Sequence, residues 1–270
     1  MNIYTNLDAF PQANWTQMTL PPAERRRERG LDRALDIFEA LRAAQRPLRP
    51  NEIANQLGAP RSTVHDLVRT LIERRYLERA DADGRVFLAR RVYLLGVAYA
   101  ETDQGLVRAE SALRRVAAET GELAQYCGLD GNKYVVLRQH ESARPFRISA
   151  DTGHPVPIPW TASGRLLISD LNVDKIAALI PAEDFVFPDG SRTSPADFAE
   201  EAYRARAAGH YTCDSVMDSF THCFAVPVLS DAGRVAATLC LVAPLDDARR
   251  NHAHYLECLK RLAEPLHGHA

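Results

Sequence analysis

The chain has 270 residues, 46% of them hydrophobic and 25% charged, with a formal net charge of −2. That composition fits one large globular domain or two of ordinary size, and the near-neutral balance argues against a protein that binds polyanions over its whole surface. No run approaches the roughly 18 apolar residues of a membrane span, and the first residues lack the basic start and apolar core of a secretory signal.

The charge is unevenly spread. Residues 21–91 hold 16 Arg against 11 Asp plus Glu, a local balance of +5 that leaves −7 for the rest. Such asymmetry suits either a front segment that faces nucleic acid or an Arg-rich solvated surface. The five cysteines, Cys127, Cys213, Cys223, Cys240 and Cys258, are odd in number and include no CxxC pair, as expected of a reduced, cytoplasmic protein.

In chain order, residues 1–29 carry no sustained periodicity and run through Pro21-Pro22 into the basic ERRRER of 24–29. They read as a flexible basic arm, either a plain tail or a segment that touches DNA. From Gly30, the residues Leu31, Ala34, Leu35, Phe38 and Leu41 recur at helical spacing, and Pro47 closes that helix. A second, short helix follows Pro50 with Ile53, Ala54 and Leu57 inward, ends at Gly58, and Pro60 opens a third.

The third helix, in PRSTVHDLVRTL (60–71), brings Ser, His and Asp together, the residue types of a hydrolytic triad. Helical geometry argues against catalysis. His65 and Asp66 are neighbours about 100° apart, so the aspartate cannot orient the imidazole, and an exposed helix face offers no oxyanion hole. Val64, Leu67, Val68, Leu71 and Ile72 form the apolar stripe instead, and Ser62, Asp66 and Arg69 share the opposite face. Residues 76–89 then read as two short strands around an Asp-Gly turn. Three helices and a hairpin make a winged helix-turn-helix over 30–89, with the third helix in the major groove of double-stranded DNA. Arg61, Ser62 and Thr63 at its N-terminus suit phosphates and base edges, His65 lies on the flank, and Arg69 can reach guanine. Asp66 either accepts from cytosine N4 or braces Arg69. Arg79 and Arg85 of the hairpin lie near the phosphates.

Residues 90–104 form a further helix, apolar over too much of its surface for one narrow stripe. It is either a linker that packs against a second chain or a helix buried within its own domain. Beyond it, 105–270 alternates hairpins with helices. The strand pairs lie within 121–141 and at 222–229 with 234–242, and helices are expected over 106–120, 162–170, 195–208 and 248–266. That is the pattern of an antiparallel sheet covered by helices, an α+β domain of sensor type.

Together these segments resemble the IclR family of bacterial transcriptional regulators. The resemblance is carried by RALDIFEAL (33–41), EIA (52–54), G-x-P-x-S-T-V-H (58–65), YLER (76–79), GRVFL (84–88), and Arg91 with LLGVAYA (94–100). It continues through LDGNKYVVL (129–137), P-x-x-x-T-A-x-G-R-L-L (157–167), Gly209, C-x-A-x-P-V (223–228) and GRVAATLCL (233–241). It implies a winged helix-turn-helix joined to a GAF/PAS-like effector domain, no catalytic activity, and a ligand-responsive repressor or activator of a catabolic operon. It also implies a homodimer or dimer of dimers on a palindromic operator, with a small organic effector and no other cofactor. An enzyme acting on a small molecule, or a DNA-binding protein without a ligand, are the alternatives.

By the same resemblance the effector contacts fall at Ala162, Ser163 and Gly164, and at the strand positions Cys213, Cys223, Cys240 and Val242, with Asp214 beside Cys213. The chain departs from the family where Cys213 replaces a common acidic residue, where Cys240 and Val242 replace a Ser-x-Ser pair, and where Trp160 replaces a small residue. Each change trades hydrogen-bonding capacity for apolar or polarisable surface, which favours an aromatic or bulky apolar effector unless these residues are simply core. No metal site is expected. His210, Cys213, Asp214, His222 and Cys223, and separately His252 and His254 near Glu257, have the right donor types but no recognised spacing. The turns GNKYVV and DAGRV lack the glycine spacing of a phosphate loop.

Overall fold

A computed structural model describes residues 29–141 and 152–268. The arm expected over 1–29 lies outside the described residues, save Arg29, which opens the first helix. The chain divides into two compact units between Ala100 and Glu101.

The first unit contains α1 (Arg29–Ala44), α2 (Pro50–Gln56), α3 (Arg61–Glu73), β1 (Leu77–Arg79), β2 (Val86–Leu88) and most of α4 (Arg90–Thr102). Its core is Ile37, Ala40, Leu41, Leu48, Ile53, Ala54, Val64, Val68, Leu77 and Val86. The stripe expected on α1 is rotated. Leu41 is buried, but Leu31 and Leu35 are 64% and 53% exposed, and Ile37 and Ala40 point inward in their place. At 100° per residue, Leu31 and Leu35 sit roughly 120–160° around the helix from Ile37. Periodicity shows that α1 has apolar faces but not which one meets its own chain.

On α3, Val64 and Val68 are buried as expected, with Leu67, Leu71 and Ile72 packed beside them. The wing is the expected hairpin, with Leu77 opposite Leu88 and Arg79 opposite Val86. Gly84 takes φ +76° at the Asp-Gly turn, a left-handed conformation that glycine adopts without steric cost. Leu48 adds a bridge to Val86 on the hairpin's outer edge. Helix α4 buries none of its residues, with Tyr93 70%, Leu94 56% and Leu95 57% exposed, so burial within its own domain is excluded.

In the second unit α5 (Gln104–Thr120) leads into β3 (Leu123–Asp130) and β4 (Lys133–His140). Short β5 (Val156–Pro157) and a 3-10 turn at Ile158–Trp160 precede α6 (Ala162–Leu167) and α7 (Val173–Leu179). Then come a second 3-10 turn at Ala182–Phe185, α8 (Pro195–Ala208), β6 (Tyr211–Asp214), β7 (Thr221–Leu229), β8 (Val235–Pro244) and α9 (Leu245–Ala263). The strands form one antiparallel sheet in the order β5-β4-β3-β8-β7-β6. Helices α5 and α9 pack on β3, β4, β7 and β8 from one side, while α6 lies across β3, β6, β7 and β8 with α8 behind it. The fold is the expected α+β sheet with helical cover. Hydrophobic pattern alone missed α7, β5 and β6, which are short or only half-buried.

Covering both faces explains the strands. In β3 and β8 the central residues are buried on both faces, so they read as continuous apolar runs instead of alternating ones. The closest approach is at α6. Thr161 accepts the Gly164 amide at 2.9 Å to cap the helix, and a Cβ at Gly164 would lie 2.0 Å from the Ile158 carbonyl oxygen. Gly164→Ala therefore forces backbone apart and is expected to cost about 2–3 kcal/mol, read as a lowered denaturation midpoint; an unchanged midpoint would show that the turn relaxes freely.

Candidate DNA-binding face and effector cavity

Helix α3 presents a polar face on a buried stem. Arg61, Ser62, His65, Asp66 and Arg69 are exposed and Thr63 is half-buried. Its N-cap is Pro60, which supplies no side-chain acceptor, so the first-turn amides around Ser62 and Thr63 are not capped by a side chain. With the helix dipole, such a terminus suits a phosphate. The His65 imidazole is held to Asn51 of α2, Nε2 to Oδ1 at 3.1 Å, which ties the two helices of the motif together. Arg69 donates to Asp66 at 3.1 Å, so in the free protein Asp66 braces the guanidinium. In the wing, Arg79 is exposed, whereas Arg85 is half-buried and tied to Asp81, 3.4 Å from its carboxylate.

The second unit contains a partly open cavity of about 40 Å³ between the α6 face of the sheet and the turns around it. Its walls come from five places. Gln125 and Tyr134 stand on β3 and β4; Trp160 to Ser163 lead into α6; Ser215 and Met217 follow β6; Thr221 and Cys223 lie on β7; Cys240 and Val242 lie on β8. Pairing explains why these residues meet. Gln125 is opposite Cys240, and Cys223 is opposite Val242, and cross-strand partners share a face.

Trp160 is pinned. Its indole N–H points between the Asp184 and Val186 carbonyl oxygens, at 3.1 and 3.0 Å. Asp184 in turn holds the Lys133 ammonium at 2.5 and 2.7 Å in a pair with side chains only 6% and 13% exposed. Burial pushes the Asp184 carboxyl up, and Lys133 opposes that. Behind the cavity, the Arg165 guanidinium binds Glu201 at 2.9 Å and the carbonyls of Pro159 and Thr161, and stacks on Phe198 and Tyr211. It fixes the turn carrying Trp160 without entering the lining.

Residues 30–81 match the IclR helix-turn-helix domain, and residues 101–267 match the bacterial transcriptional regulator IclR C-terminal domain. The chain belongs to the IclR family. Its relatives are transcriptional regulators, not enzymes. The regulator BhcR of Paracoccus denitrificans is 28% identical over 82% of this chain and 80% of its own length. The transcriptional repressor IclR of Escherichia coli is 20% identical over 80% of each chain. Among solved structures, an IclR regulator from Alicyclobacillus acidocaldarius superposes with a TM-score of 0.76 at 20% identity, over 89% of this chain and 98% of that one. An IclR homologue from Microbacterium hydrocarbonoxydans, solved with 4-hydroxybenzoate, superposes with a TM-score of 0.74 at 22% identity, over 88% of this chain and 97% of that one.

Of the effector residues expected from the family resemblance, Trp160, Ala162, Ser163, Cys223, Cys240 and Val242 line the cavity. Gly164, Cys213 and Asp214 do not. The Gly164 amide is used by the Thr161 cap and its Cα abuts Ile158. Cys213 stands opposite Cys223 on the edge strand, packed into the core with its thiol pushed up to about 11 by burial. Asp214, exposed, pairs with His222 Nδ1 at 2.6 Å on the other face of that strand. Expectation missed Gln125, Tyr134, Thr161, Ser215, Met217 and Thr221. Period-two spacing from the buried Cys127 reaches Gln125, but Ser215 and Met217 follow a strand end with no periodic signal. Among the described residues no cluster of three or more His, Cys, Asp or Glu side chains is placed to hold a metal ion.

The Asp66–Arg69 pair gives a direct test of the DNA face. Asp66→Ala removes a carboxylate from the exposed face of α3 and frees Arg69. Nonspecific affinity for duplex DNA is expected to rise, with the log–log salt slope steeper by up to about one. Filter-binding or anisotropy titrations at several salt concentrations check this, and unchanged affinity and slope would make Asp66 a solvated bystander.

Proposed function

We propose that the protein is a ligand-responsive regulator of a catabolic operon, acting in the cytoplasm as a dimer or dimer of dimers on a palindromic operator. The observation that carries the ligand-responsive part is the small, partly open cavity against α6, flanked by Trp160, Tyr134, Met217 and Val242. Arg61, Ser62, Thr63, His65 and Arg69 of α3, with Arg79 on the wing, make the DNA-facing set, and Arg85 supports the wing through Asp81. Exposed Leu31 and Leu35 on α1 and Tyr93, Leu94 and Leu95 on α4 supply the apolar surface for a second copy. Among the described residues no helix is long and apolar enough to cross a membrane.

We infer an aromatic effector from the two rings and the polarisable sulfur atoms of the lining, and the 4-hydroxybenzoate complex of the Microbacterium homologue supports that class. At about 40 Å³ the cavity is well below the ~150 Å³ that accommodates benzene, so a ring must widen it. Trp160 and the 215–217 turn are the walls that have to move. An effector that binds only the opened form shifts the domain's equilibrium by its preference for that form, which is the coupling a regulator needs.

A melting-shift screen of benzoates and phenols against glyoxylate and pyruvate tests the effector class. At a hundredfold excess over Kd, a true effector is expected to raise the midpoint by about 5–10 °C and to change Trp160 emission. Tight binding of glyoxylate or pyruvate with none of the ring compounds would sink the aromatic reading. For the dimer, Leu94→Asp with Leu95→Asp is expected to give a monomer in sedimentation equilibrium and to abolish palindrome binding; an intact dimer would move the interface elsewhere.

A further inference from the structure

Four of the five cysteines stand in one core cluster on the cavity side of the sheet. Alternation puts them there. Cys213 is opposite Cys223 on β6 and β7, Cys223 is opposite Val242, and Cys240 lies two residues back along β8 on the same face. Cys127 on β3 is opposite Thr238, so Cys240 is its diagonal neighbour. Two of these thiols, Cys223 and Cys240, form part of the cavity wall.

The two wall thiols differ in what they touch. Cys240 Sγ lies 2.8 Å from the Ser163 hydroxyl and 3.5 Å from Thr238 Oγ1, to which it donates as a thiol. Once ionised, it can accept from both hydroxyls. Burial works against its ionisation, but the hydrogen bonds with Cys127, Ser163 and Thr238 outweigh it and bring the thiol below its ordinary range. Cys223 has no comparable hydroxyl partners among the described residues, and burial pushes it well above that range. Cys127 is also pushed up by burial and by Cys240, while the Tyr134 hydroxyl donates to it at 3.0 Å. Among the described residues, Cys240 is the one thiol that both stands in the cavity wall and touches hydroxyl groups able to steady a thiolate.

We propose that Cys240 is a nucleophilic modification site at which the cavity captures small α,β-unsaturated carbonyl compounds as covalent adducts. The proposal rests on the reading of this cavity as the effector site. The step balances without oxidant or reductant. The sulfur forms a bond to the β-carbon, the C=C π pair shifts toward the carbonyl as an enolate, and the thiol proton ends on the α-carbon, with the Ser163 hydroxyl beside the sulfur to relay it. Trp160 and Met217 bound the space the carbonyl chain occupies.

The test treats the full chain with limiting acrolein at neutral pH, follows intact mass with time and maps the modified peptide. The expected result is a single early adduct on Cys240, formed at least several-fold faster than on N-acetylcysteine, with a change in Trp160 emission. Cys240→Ser is expected to lose both signals and Cys258→Ser to retain both. Ser163→Ala, which keeps the thiol but removes its hydroxyl partner, is expected to slow the reaction several-fold. An early adduct on Cys213, Cys223 or Cys258 overturns the assignment. So does an unreactive Cys240 in a protein whose melting still shifts with ring acids, and in that case the effector reading survives. A cavity that engages neither acrolein nor any small acid defeats both.

Discussion

The pairing of β3 with β8 in the middle of the sheet is the constraint on which the second unit depends. It joins two hairpins distant in the chain, and it sets Gln125 opposite Cys240 and Cys127 opposite Thr238. A slip of one residue would turn Cys240 and Val242 toward α5 and α9 and leave Ser163 facing different side chains. That register is held because both faces of β3 and β8 are buried, so either error would place polar groups such as Gln125 and Thr238 against the opposite helical layer.

The second support is polar and lies at the cavity edge. Lys133 leaves β4 to meet Asp184, whose backbone carbonyl receives the Trp160 indole. A buried pair of this kind contributes less to net stability than its short distances suggest, because both ions lose water. Breaking it leaves one charge stranded, so its clearest effect is to make one position of the 182–186 segment, and therefore of Trp160, much better than its neighbours. One cavity wall, Trp160, is thus anchored through an ion pair outside the lining, with Arg165 clamping the adjacent turn from behind.

The first unit follows a different economy. Its helices bury one aliphatic stripe each around Ile37, Ile53, Val64 and Val68 and leave the rest to solvent or partners. The polar face of α3 is braced from within, by Asn51 on His65 and by Asp66 on Arg69. Such bracing fixes both side chains before any partner arrives, and it leaves the Asp66 carboxylate exposed on the same face. On the proposed docking to DNA, Arg69 exchanges Asp66 for a base or phosphate, which would make the pair a source of selectivity.

Much of this was legible in the sequence by itself. Helical spacing at Val64, Leu67, Val68 and Leu71, the Asp-Gly turn of the wing and the runs flanking Gly131 and Gly233 determined the elements, because local periodicity and turn chemistry act over a few residues. Family motifs extended that to the architecture and to six of the cavity residues. Tertiary structure decided the rest. It rotated α1 so that Ile37 is buried and Leu31 is exposed, and it used Gly164 for packing against Ile158. It also turned Asp214 to the other face and brought Gln125, Tyr134, Thr161, Ser215, Met217 and Thr221 around one space. Those outcomes depend on which face of each element meets a neighbour remote in the chain, and the difference in surroundings between Cys223 and Cys240 depends on a hydroxyl that reaches one sulfur from 77 residues away.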